Sequence, residues 1–207
     1  DALASGEQVL DANNGELADQ AVIFNAQVPT GNPTLTFDHF YDIEEGWDYA
    51  VVQVSTDNGE TWTSLSNENT RSDVVEEGHP TIVENVPGFT GHKTDWTTES
   101  FDLSAYAGQD VQVSFRNLTD WGYNDTGWFI KNINLGEFSA DGTSTNLFKS
   151  LAELKGEYVD FTVSLIQTLA NGQQKVMQID PFDVTNTEAL QIRNFLTQGN
   201  VKMITSY

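Results

Sequence analysis

Asp42, Glu44, Glu45 and Asp48 put four carboxylates into seven residues, and Asp120, Asn124 and Asp125 put three oxygen-bearing side chains into six. Calcium takes about six to eight hard oxygens from carboxylates, amides and carbonyls, so both runs are candidate ligands. If the loops that carry them meet, Glu45, Asp48, Asp120 and Asp125 are the residues expected to hold the ion. The plainer alternative is turn-forming acids on a generally acidic surface. Trp121, Tyr123 and Trp128 surround the second run, and their faces suit stacking on a sugar ring or filling a sandwich core. The chain has no cysteine, no G-x-S-x-G and no H-E-x-x-H, and His39, His79 and His92 lack a metal-ligand spacing. Neither a nucleophile nor a zinc site is expected from that set. A glycosidase needs two acids at a fixed separation across a cleft, and no spacing in so acidic a chain singles out such a pair. The expectation is a chain without its own catalysis.

The 207 residues carry 31 acids and 9 bases, a net charge of −22. Nucleic acid and anionic membrane surfaces both call for clustered Lys and Arg, so neither is an expected partner. No apolar run reaches the roughly 18 residues of a membrane span. The first residues lack a basic-then-apolar leader, so a soluble, mature or excised piece is expected. Hydrophobic residues at 38% and aromatics at 11% exclude a disordered acidic tail. The charge is uneven: residues 1–140 hold 24 acids against four bases, a net of −20, while residues 141–207 hold seven against five. All five tryptophans lie in the first part. This step, with the small polar run 139–145, predicts a sandwich domain over 1–138, a linker over 139–145 and a small β-rich domain over 146–207.

The elements that must position these residues are strands. Apolar and polar residues alternate over 34–40 and 111–115, residues 49–54 are rich in β-branched and aromatic types, and 127–135 reads as a long closing strand. Turns are expected at Asp57-Asn58-Gly59, Pro87-Gly88, Ala107-Gly108 and Asn124-Asp125. Many short strands with no convincing helix predict an antiparallel β-sandwich or jelly roll. Residues 67–95 are the exception, a long acidic excursion containing His79 and His92. Ser55-Thr56-Asp57-Asn58-Gly59-Glu60-Thr61-Trp62 resembles the Asp-box of sialidases, but it occurs once and reads first as a structural hairpin. In the last part, strands are expected over 158–166, 175–179 and 201–205, with an Asn171-Gly172 hairpin turn. Thr185-x-x-Glu188 is a capping-box signature for a helix bearing Ala189, Ile192, Phe195 and Leu196 on one side, and Gly199 would stop it.

Three further groups of residues carry a family resemblance. They are Tyr41-Asp42-Ile43-Glu44-Glu45-Gly46-Trp47-Asp48-Tyr49 with Val52-Gln53-Val54-Ser55, then Pro87-Gly88-Phe89-Thr90-Gly91 through Trp96 to Ser100-Phe101-Asp102-Leu103, and the closing Gly127-Trp128-Phe129-Ile130 with Asn132-Ile133. Over residues 15–137 the chain resembles the non-catalytic β-sandwich that follows the protease unit of immune inhibitor A-type secreted metallopeptidases. The resemblance implies a jelly roll related to galactose-binding and MAM-type domains, in an exported protein whose zinc protease unit lies upstream. The partners it implies are that catalytic domain, or an extracellular protein or glycan, with no membrane insertion. Residues 155–207 resemble the small closing domain of such proteins, which would be immunoglobulin-like, whereas the capping box argues for an α+β domain. One departure stands out: Lys131 occupies a position that is acidic in the family's closing strand. If that acid binds a cation in relatives, Lys131 removes a ligand there.

Overall fold

A computed structural model describes residues 8–12, 15–123, 125–155, 162–169, 171–179, 184–197 and 200–206. The chain divides into two compact units, residues 1–156 and 157–207. In the first, one sheet is ordered β1 (Leu10–Asp11), β8 (Gly127–Leu135), β3 (Thr34–Asp42), β6 (His92–Asp102), with β9 (Phe138–Ala140) also pairing β8. The other is ordered β2 (Asp19–Gln27), β7 (Asp110–Leu118), β4 (Tyr49–Ser55), β5 (Thr63–Ser64). Every pairing is antiparallel, and consecutive strands alternate between sheets from β1 to β4. This is the connectivity of a jelly roll.

The alternation read from the sequence works where one face alone is buried. Leu35, Phe37 and Tyr41 of β3 turn inward against Val111, Val113 and Phe115 of β7 and Ala50, Val52 and Val54 of β4, with Trp128 fully buried among them. It fails in two places for physical reasons. In β8, Asp38 pairs with Lys131 but Thr36 pairs with Asn134, so Asn132 and Ile133 together oppose one residue. That bulge, with Asn132 at φ +52°, lets Ile130 and Ile133 both face the core. In β4 all seven residues are buried, because the excursion covers the sheet's outer face.

The excursion is therefore not a free loop. It holds α1 (Pro80–Asn85), a short helix absent from the sequence expectation, whose Ile82 packs with Tyr49, Val51 and Leu118 in a second small core. Backbone bonds tie Arg71 to Gly88 in both directions and Phe89 to Ala50 in both directions. Asn85 receives hydrogen bonds from Gln53 and Arg116 of the sheet, and Arg116 also pairs with Asp19.

The Asp57-Asn58-Gly59 turn forms as expected. Ser55 and Asp57 bind the turn through the Gly59 and Thr61 amides, and hydrogen bonds from Thr61 and Ser55 hold the Asp57 carboxyl down at about 2. Gly59 has φ +86°, and a β-carbon there would collide with Leu154 and touch Trp62. Gly59→Ala is expected to destabilise the first unit by about 1–3 kcal/mol, read as a lower urea midpoint at unchanged slope.

The boundary expected at 139–145 is corrected. Phe138 stacks on Phe24 at 3.9 Å, Phe148 meets the same ring edge-on, and Lys149 bridges Ile23 of the edge strand β2. The segment thus completes the sandwich and continues into α2 (Leu151–Lys155), so the division falls after residue 156. The composition step marks where surface charge changes, whereas packing continues past it.

The second unit is α+β. A three-stranded sheet, β11 (Gln174–Ile179), β10 (Thr162–Thr168), β12 (Asn200–Ser206), accompanies helix α3 (Asn186–Leu196). The capping box is made: Thr185 Oγ1 accepts the Glu188 amide, and the Glu188 carboxylate accepts the Thr185 amide. Ile192 and Phe195 of that helix are half-buried, while Ala189 and Leu196 are exposed. Residues 158–161 of the expected strand and Gly199 lie outside the described residues. No described helix is long and apolar enough to cross a membrane.

Candidate functional site: the acidic loop end

One end of the sandwich gathers the chemistry. There β3 ends at Asp42, β4 begins at Tyr49, β6 begins at His92, and the β7–β8 connection runs from Thr119 to Thr126. Between β3 and β4, the Trp47 and Asp48 amides both donate to the Glu44 carbonyl, closing a tight turn. Gly46, at φ +79°, donates its amide to Thr90 Oγ1 and closes that turn. The Glu44 charge acts on the Asp48 carboxyl across this turn, whereas Glu45 reaches Arg71 instead.

Asp48 is 1% exposed and Asp120 is 4% exposed. The Asp120 amide donates to Asp48 Oδ1 at 3.0 Å, and Asp120 Oδ1 accepts the Gly122 amide at 2.8 Å. A β-carbon at Gly122 would lie 3.2 Å from Asp120 Oδ1 and 3.8 Å from Glu44 Oε2, so these carboxylates converge on one spot. Burial, with the Asp120 and Glu44 charges adding to it against the Asp120 amide bond, pushes the Asp48 carboxyl up to about 7. Glu44 is raised by burial and then by Asp120 and Asp125. Oxygen donors this close, drawn from two loops, suit a hard cation by their chemistry.

The expected residues thus meet in part. Asp48, Asp120 and Asp125 gather at this end, whereas Glu45 binds Arg71 at 2.7 Å, and Arg71 also takes Asp73. Glu44 stands in the place expected for Glu45. Glu44 and Glu45 stand side by side in the acidic run, and their order along the chain does not say which of them Arg71 takes. Asn124 lies outside the described residues. Trp121 and Tyr123 are 55% and 67% exposed, with Trp121 edge-on to His79 and the Tyr123 hydroxyl bonded to Asp125. Trp128 is corrected as a ligand-stacking residue: it has no exposed surface, and its Nε1 donates to His39 Nδ1 at 3.1 Å in the core. Lys131 sits 4.2 Å over the Trp96 ring, four residues along β8 from Gly127, which pairs with Asp42. Its positive charge therefore falls on the flank of the sheet and not in the acidic loop end.

The strand order, the aromatic core and this end define an antiparallel jelly-roll module. The chain belongs to the immune inhibitor A-like MAM domain family, whose family model matches residues 22–164. It is 32% identical over 143 residues to the pre-pro-metalloprotease PrtV of Vibrio cholerae, which is 69% of this chain and 14% of that protein. It is 29% identical over 146 residues to Bacillopeptidase F of Bacillus subtilis, 68% of this chain and 9% of that protein. The chain spans a small fraction of the length of either relative.

Proposed function

We propose that this chain is a non-catalytic accessory region of a secreted or cell-surface peptidase, supporting a catalytic unit elsewhere in the parent protein or holding its substrate. The observation that carries the reading is the family match together with the small share of a metalloprotease that it occupies. A jelly roll by itself hosts many activities, so the fold adds nothing to that choice. Glu44, Asp48 and Asp120, with Asp125 at their border, are proposed to hold calcium that fixes the loop end. The support is the convergence of their oxygens from two loops. A second reading, a glycan-binding module, has one observation in its favour: the exposed rings of Trp121 and Tyr123 at the same end.

The purified chain incubated with casein and gelatin is expected to leave both intact, and chelator-sensitive cleavage would overturn the accessory reading. In parallel, a glycan array separates the two readings. Retention lost in Trp121→Ala would move the assignment to glycan binding, and absence of retention favours the accessory role.

A further inference from the structure

Beside the calcium candidates lies a second constellation of different chemistry. One ligand atom each from Asp42, His92 and Asp125 lies within 4.8 Å of the others. Asp42 and His92 are cross-strand partners at the meeting of β3 and β6, so a rigid sheet holds both. Asp125 reaches them from the β7–β8 connection.

We propose that Asp42, His92 and Asp125 bind a first-row divalent transition metal of the zinc class. The imidazole nitrogen decides the metal type. Calcium takes oxygen almost throughout, whereas one nitrogen with two carboxylates suits zinc, cobalt or nickel. The span also fits, because ligands held about 2.0–2.2 Å from a tetrahedral ion stand well within the spread observed here. His92 Nδ1 and Asp42 Oδ1 bond directly at 2.5 Å. An ion bound between these atoms takes the place of that bond.

Two observations beyond the ligands support the site. Thr126 Oγ1 donates to Asp42 Oδ2 at 2.8 Å, leaving Oδ1 turned toward His92, which is how outer groups orient metal-binding carboxylates. The nearby basic side chains are committed elsewhere, Arg71 to Glu45 and Asp73 and Lys93 to Glu99. Glu44, electrostatically coupled to Asp125, adds negative potential beside the site. The His92 side chain is 54% exposed, so an ion enters directly from solvent and keeps a position for water or a partner's donor group.

The test is cobalt uptake by the intact, chelator-stripped chain, followed by visible absorbance and titration calorimetry. One equivalent is expected, displaced by zinc, weakened but not abolished by excess calcium through the shared Asp125, and retained in Asp48→Asn. His92→Ala and Asp125→Asn should each weaken uptake by about 100-fold or more, and Thr126→Val by about 10-fold. Circular dichroism checks that each variant is folded, and the exposed His92→Ala is the decisive one. Absence of stoichiometric uptake, uptake unchanged in folded His92→Ala, or full displacement by calcium would each overturn the proposal. The last would leave one oxygen-rich calcium site at this end.

Discussion

Glu99→Ala is expected to cost about 3–5 kcal/mol of stability at pH 7, the usual penalty for stripping one partner from a buried charged network. Glu99 is 2% exposed and accepts from Asn67 Nδ2, from Asn69 Nδ2 and from Lys93 Nζ at 3.0 Å. His39, fully buried, accepts a hydrogen bond from Trp128 Nε1 on Nδ1 and so carries its own proton on Nε2, 3.4 Å from Glu99 Oε1. Burial alone would raise the Glu99 carboxyl; the His39 imidazole facing it at 3.4 Å and the hydrogen bonds from Asn69, Lys93 and Asn67 outweigh it and hold the group at about 2, below its ordinary 4.5. Burial keeps His39 below its ordinary value of 6.5, so it stays neutral. Both shifts act in one direction. An acid with a lowered folded value contributes stability above 4.5 that fades as pH falls toward 2, and the buried neutral His39 adds a loss that begins below 6.5. Urea unfolding of wild type and Glu99→Ala should therefore differ most near neutrality and converge toward pH 2. Equal midpoints at pH 7 would refute the account, and Glu99→Gln should fall between the two.

Calcium is expected to raise the unfolding temperature of the intact chain, by the equivalent of about 2.7 kcal/mol at a hundred times the dissociation constant. A chelator should reverse the rise, and Asp48→Asn should abolish it. Without metal the same substitution should stabilise. Asp48 has a folded value near 7, above its ordinary 3.8, so the metal-free protein loses stability as pH rises between these values. The substituted side-chain amide would keep an oxygen for the Asp120 amide without an ionised carboxylate, flattening that slope. A transition unmoved between chelator and millimolar calcium would remove calcium from the loop end. So would a calcium response that survives in Asp48→Asn. Together the two networks give metal-free protein greatest stability on the mildly acid side, because Glu99 and His39 penalise further acid and Asp48 penalises base.

Much of the frame was readable from residue order. The alternation at 34–40 and 111–115 and the apolar closing run at 127–135 became β3, β7 and β8, and Thr185 with Glu188 capped α3. Such signals are local, each spanning one turn or one strand. What escaped depended on distant chain. Whether Trp128 faced a ligand or the core was set by His39, 89 residues away. Glu44 outranked Glu45 through a turn closed by Thr90. Asp42 and His92 became a pair because β3 and β6 share a register, a fact that no spacing along the chain encodes.

The pinned excursion has a bearing on resistance to proteolysis. A peptidase must draw a slack stretch of chain into its cleft, and long exposed loops are where nicking concentrates. Residues 65–91 offer little slack: Asn67 and Asn69 are held by Glu99, Arg71 by Gly88, the Asp73 carbonyl by the Tyr49 hydroxyl, and Ile82 by its own small core. Cutting there first requires these ties to open together, so susceptibility follows a cooperative opening equilibrium and not surface exposure. The same buried glutamate that steadies the sandwich in neutral solution thereby guards its longest loop against digestion.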